Sequence, residues 1–273
     1  MRTVRPPAVA GMFYPADPDE LASTVDDLLQ EADAVLTHSG AAIAEAGAAP
    51  KAVIVPHAGY VYSGATAALA YALLRRHRDD IHRVVLLGPT HRVPCWGLAH
   101  PQADAFATPL GIVPVERPHR EVPHVVYSAR VHEQEHSLEV QVPFLQRALG
   151  PVTLAPYAVG QATPREVADA LDALWDGPET VVIVSSDLSH YLGDEQARSV
   201  DRETVGAILQ HRGPLGHEQA CGATPINGLM LAGERHGLTP TLLGMCNSAD
   251  TAGDSQRVVG YASLAYDVMR SAA

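Results

Sequence analysis

Three times along the chain a short aliphatic run stops at a proline or serine loop and delivers a histidine. In residues 51 to 64, KAVIVPHAGYVYSG, the run Ala52 to Val55 ends at Pro56 and His57 follows; in residues 83 to 91, RVVLLGPTH, Gly88 and Pro89 precede His91. Residues 180 to 190, TVVIVSSDLSH, deliver Asp187 and His190. Continuous apolar runs bounded by turn formers predict strands buried on both faces. Beyond His57, the spacing of Ala67, Ala70, Leu73 and Leu74 predicts a crossover helix capped by Ser63 and ending at Arg75 and Arg76. His57 then stands at the carboxyl end of a strand, the edge where open α/β sheets bind ligands.

The remaining pattern continues the alternation. A proline-rich arm, RPPAVAGMFYPADPDEL, leads into a helix marked by Leu21, Val25, Leu28 and Leu29. Residues 37 to 50 are small and of low complexity and predict an exposed, mobile connection. Residues 92 to 118 fit short antiparallel strands and loops. Leu138, Val142, Leu145 and Leu149 give residues 132 to 149 a helical period that Pro143 interrupts. A strand over 153 to 160 precedes a helix opened by Thr163, Pro164 and Glu166 and running to about Trp175. Helices from Asp194 through Ile208 and from Thr224 to His236, then strands over 241 to 245 and 258 to 266, complete an α/β fold. Its expected form is a single domain over residues 1 to 273, with a mixed, mostly parallel central sheet flanked by helices.

Composition narrows the function more than the fold. The chain has 273 residues and a formal net charge of -12, with lysine nearly absent, which argues against nucleic acid as a partner. No run of about eighteen apolar residues and no signal sequence appears, so no membrane span is expected and a cytoplasmic location follows. Three cysteines, Cys95, Cys221 and Cys246, at scattered spacing do not form a disulfide framework.

His57 and His91 are therefore candidate metal ligands, because neutral imidazole binds transition metals and both follow core strands. A third ligand is Cys221, in ACGATPINGL, where the following helix N-terminus favours the thiolate, or Asp187, which would complete a two-His-one-carboxylate site. His190 is placed as general acid or base. Glu135, His136 and Glu139 form a second polar cluster, as readily a solvated helix face as part of the site. Ligand types alone also leave zinc-dependent hydrolysis open.

The motifs PHAGYVYSG, LGPTH, EHSLEVQVPFL, SSDLSH and CGATPI, in this order, resemble the Memo family, whose bacterial members are called AmmeMemoRadiSam system protein B. That family is similar to the LigB-type class III extradiol dioxygenases. The resemblance implies a non-haem iron fold with metal ligands at His57, His91 and Cys221, Asp187 and His190 as catalytic pocket residues, and Tyr60, Glu135 and His136 around them. It implies Fe(II), with copper or zinc as alternatives, a small aromatic or phenolic substrate, and a functional link to a radical S-adenosylmethionine protein. The chain departs from the family pattern at Arg92 and at Ala223-Thr224. A metal- or peptide-binding adaptor using the same pocket is the alternative from a different class.

Overall fold

The structure, a computed structural model, describes residues 3–39, 48–117 and 121–268. In chain order the elements are β1 (Val4–Arg5), α1 (Pro18–Ser39), β2 (Ala52–Val55), α2 (Tyr60–Arg75), β3 (Arg83–Pro89), β4 (Leu98–His100), β5 (Ala105–Thr108) and β6 (Gly111–Pro114). There follow β7 (Val125–Tyr127), α3 (Ala129–Glu133), a 3-10 turn (Glu139–Gln141), α4 (Val142–Ala148), β8 (Thr153–Val159), α5 (Pro164–Leu174) and β9 (Thr180–Ser185). The last are β10 (His190–Leu192), α6 (Asp194–Leu209), α7 (Ala223–Arg235), β11 (Leu238–Asn247) and β12 (Val258–Val268).

The main sheet runs β10-β12-β2-β9-β3-β8-β4-β7, with β11 paired to β12, and β1, β5 and β6 form a separate small sheet. Its centre, β2-β9-β3-β8, is parallel throughout. Antiparallel pairings of β12 on β2 and of β4 on β8 flank that centre, which gives the expected mixed sheet.

The apolar runs work as double-sided strands. Val53, Val55, Val84, Leu86, Val181 and Ile183 join Leu29 of α1, Leu73 of α2 and Phe144 of α4 in one core. Their neighbours Ala52, Ile54, Val85, Leu87, Val182 and Val184 join Leu171 of α5, Ile208 of α6 and Leu229 of α7 in the other. Each fully buried aliphatic side chain contributes on the order of 2 kcal/mol, so both helical layers are fastened to one sheet. Among the described residues no helix is long and apolar enough to cross a membrane.

Several expectations need correction. Ser63 lies inside α2 and donates its hydroxyl to Ala58 O at 3.0 Å; the N-cap is Gly59. Residues 132 to 149 do not form one helix: α3, the 3-10 turn and α4 divide them, and Pro143 sits in the first turn of α4, where its missing N–H costs no intrahelical bond. The third motif strand ends at Ser185, and His190 opens the separate strand β10. α1 continues to Ser39, and most of the expected mobile connection, residues 40–47, lies outside the described residues. Thr163 and Glu166 form the capping box expected at the start of α5.

Candidate metal centre

His57 and His91 do not leave adjacent strands. β9 lies between β2 and β3, so the loop carrying Asp187 emerges between the two histidines. The imidazole centroids of His57 and His91 are nevertheless 5.2 Å apart, and that of His136 is 5.4 Å from the first and 4.5 Å from the second. One nitrogen from each of the three comes within 4.8 Å of the others, the arrangement of a possible three-histidine metal site.

The hydrogen bonds fix which nitrogens are free. Ser185 Oγ donates its one proton to Ser137 O at 2.6 Å and accepts from Gln141 Nε2 at 2.8 Å. Its remaining partner, His57 Nδ1 at 2.9 Å, must therefore be the donor, which leaves the His57 Nε2 lone pair unprotonated. His91 Nδ1 faces Glu135 Oε1 at 2.8 Å, and a carboxylate only accepts, so Nε2 is again free. Orientation of a ligating imidazole through its other N–H is the usual support of a metal site. His136 Nδ1 is buried and makes no hydrogen bond, although Glu135 Oε1 lies 3.4 Å away.

Burial keeps two of these rings, His57 and His136, neutral. Burial, reinforced by the neighbouring His136 and His91, pushes His57 well below the ordinary imidazole value. Burial, against the opposing pull of Glu135, brings His136 down to about 4. Glu135 is itself buried, which disfavours its charge. Yet it accepts from His91 N (2.5 Å), His91 Nδ1 (2.8 Å), His136 N (3.0 Å) and Ser137 N (3.0 Å), and these hold it down at about 2.

Cys221 lies before α7 with its Sγ 3.3 Å from His57 Nε2. A side chain at Gly222 would strike Ser186 Cβ at 2.6 Å, so glycine lets the α7 entry press onto the end of β9 and bring Cys221 to the cluster. The expected thiolate is not favoured in the metal-free protein: burial, then the charge of Asp187, raises the thiol to about 12. A bound cation would reverse that balance. Asp187 Oδ1 accepts from the backbone N–H of His57 (2.7 Å) and Ala58 (3.3 Å); burial outweighs these bonds and raises it to about 6. It thus holds the His57 loop from behind.

His190 donates from Nδ1 to Leu188 O at 2.9 Å and lines a side cavity of about 540 Å³ together with His91 and Cys221. The main cleft, about 1010 Å³, also reaches His91 and Cys221 and extends past Arg92 and Trp96. His217 borders both cavities, a placement the sequence did not indicate. Tyr60 lies in the core and donates to Val140 O at 2.8 Å, supporting the segment before α4 without lining either cavity. Glu139 pairs with Arg5 at 2.7 Å and, like Glu135, is buried, so a solvated helix face is excluded for both.

The molecule is thus a three-layered α/β protein with a metal-competent histidine cluster at the carboxyl ends of its central strands. A Memo-like protein family model matches residues 5–265. A MEMO1 family protein of Aquifex aeolicus is 34% identical over 290 residues, covering 96% of this chain and 99% of the relative. Those of Archaeoglobus fulgidus (34% identical, 97% and 100% covered) and Methanosarcina barkeri (35% identical, 96% and 99% covered) match equally fully. The chain belongs to the Memo family. Among solved structures, an uncharacterized protein from Escherichia coli K12 aligns over 78% of this chain and 98% of its own at 11% identity and a TM-score of 0.44.

Proposed function

We propose that the protein is a metal-dependent oxidoreductase of the Memo family, with non-haem Fe(II) held by His57 and His91 and completed by Cys221 or His136. The observation that carries this reading is the pair of imidazoles whose Nδ1–H groups are both committed, to Ser185 and to Glu135, so that both Nε2 atoms are unprotonated, with the Cys221 sulfur 3.3 Å from that of His57. Bound iron would supply a Lewis-acid and redox centre for oxygen chemistry on a small aromatic or phenolic substrate. The chain's own residues would do the rest. Asp187 fixes the His57 loop through two backbone N–H groups. His190, with Nδ1 committed to Leu188 O, has Nε2 available to move a proton in the side cavity. The cleft past Arg92 and Trp96 gives a substrate room to reach the centre.

The soft Cys221 sulfur beside His57 also suits copper or zinc, and the second reading is a metal- or peptide-binding adaptor that uses the same pocket without catalysis. A working link to a radical S-adenosylmethionine protein is part of the same proposal. The test is elemental analysis of chelator-free protein, wild type and Cys221→Ala, with oxygen uptake on a panel of catechols. Near-stoichiometric iron and substrate-dependent uptake support the oxidoreductase. Metal without uptake moves the reading to the adaptor, and no metal in wild type removes it.

A further inference from the structure

The segment that carries Glu135 and His136 has little regular structure of its own, and a buried cation from the far end of the chain bonds to it at three points. Arg5, 6% exposed, donates from Nε to His132 O at 2.6 Å, from Nη2 to Glu135 O at 2.7 Å and from Nη1 to Glu139 Oε2 at 2.7 Å. The two carbonyls stand on either side of residues 133 and 134, so the planar guanidinium spans the turn that presents Glu135 and His136. Glu139 returns the grip: its carboxylate accepts from Val9 N at 2.9 Å, Ala8 N at 2.8 Å and the Tyr14 hydroxyl at 2.7 Å. The same arm also reaches the opposite wall of the centre. Tyr60 N, just past the His57 loop, donates to Phe13 O at 2.8 Å, and the Phe13 ring lies 4.8 Å from that of His136.

A buried ion pair is a poor way merely to fill space, since desolvation cancels much of its attraction and apolar residues would pack as well. What an apolar plug cannot do is fix the separation of two carbonyl oxygens. We propose that Arg5 is a positioning residue of the metal centre, setting through His132 O and Glu135 O where His136 and Glu135 stand relative to His57 and His91. Docking of the N-terminal arm and metal binding are then coupled, each strengthening the other. This rests on the reading of the histidine cluster as a metal site.

The test is an anaerobic titration of the full chain with Co(II), followed by its visible spectrum, in wild type, Arg5→Lys, Arg5→Met and Leu36→Ala. Leu36, 2% exposed in α1, lies outside the site and serves as the control for simple loss of stability. Arg5→Met weakens Co(II) binding by about 10- to 100-fold and alters the spectrum, while Leu36→Ala changes neither. Arg5→Lys keeps a charge beside Glu139 without a planar fork to bridge both carbonyls; it shows a smaller loss of the same kind and decides the matter where Arg5→Met does not fold. Unchanged affinity in the Arg5 variants, or an equal loss in Leu36→Ala, overturns the proposal. If wild type takes up no Co(II), the metal reading itself fails, and the imidazole NMR signals of the metal-free protein decide the positioning role. The Arg5 variants shift the His136 signals and leave those of His211 in place; unmoved His136 signals overturn it.

Discussion

Two walls of the histidine cluster are built by different physics. The first is the edge of the parallel sheet, where β2, β3 and β9 end in the loops of His57, His91 and Asp187, and their positions follow from strands whose side chains are buried on both faces. The second is residues 132–141, which lie across those strand ends and are stitched to them by polar side chains. Ser137 Oγ donates to Pro89 O at 2.8 Å, Gln141 Nε2 to Pro56 O at 2.9 Å, and Ser185 Oγ to Ser137 O at 2.6 Å. The sheet edge places His57 and His91, whereas the crossing segment adds His136 and, through Glu135 and the Ser137 carbonyl, fixes the tautomers of those two rings. One wall is held by area buried and the other by bonds that must each be made, since an unmade bond to a buried polar group costs more than the bond itself contributes.

If that division holds, the largest effects come from the sheet edge. His57→Ala or His91→Ala abolishes stoichiometric metal uptake, measured by elemental analysis after anaerobic loading. Glu135→Gln, on the crossing segment, retains the ligands but presents an amide to the N–H groups that now meet a carboxylate. A loss of affinity of about 10- to 100-fold without loss of stoichiometry is expected. Loss as complete as in His57→Ala would break the comparison and make Glu135 part of the ligand set.

Two of the buried carboxylates, Glu135 and Asp187, sharpen it further, because they are displaced in opposite directions. Glu135, held low at about 2, stabilises the fold above its unfolded value, and that contribution disappears as pH falls toward 2. Asp187, raised to about 6 by burial, does the reverse: its neutral form is favoured in the fold, so stability falls as pH rises from the ordinary aspartate range through 6. In the metal-free protein, Asp187→Asn keeps an acceptor for the His57 N–H and removes this penalty. It should be more stable than wild type at pH 7 in urea unfolding, by on the order of 1 kcal/mol or more, with the gain vanishing as pH falls below the ordinary aspartate range. Equal stability at pH 7 would show that the Asp187 charge is already compensated within the fold.

The same contrast explains what could be read from the residues. The strands ending at His57 and His91, the capping box of α5 and the mixed sheet were legible because each depends on local pattern: aliphatic runs, turn formers, a threonine three residues before a glutamate. That β9 separates β2 from β3 was not legible, since strand order is fixed by packing of the two helical layers. Nor was the role of Ser137, Gln141 and Arg5, or the particular bond of Glu135 to His91. The bonds from these residues to Glu139, His91, Pro89 and Pro56 span between 44 and 134 residues, and no period in a sequence records such a separation.

Pro143 marks where the crossing segment passes into α4. Read against a continuous helix it is a fault that removes a backbone donor, yet it stands in the first turn of α4, where that donor has no intrahelical acceptor. What ends the regular pattern upstream is the set of bonds that draws residues 135–141 over the strand ends. Pro143→Ala should accordingly change stability by no more than about 1 kcal/mol, and in the destabilising direction, because proline at a compatible position restricts the unfolded chain. A denaturant midpoint that rises instead would mean that the proline strains the segment, and that the crossing wall is held in place by chain stiffness as well as by its hydrogen bonds.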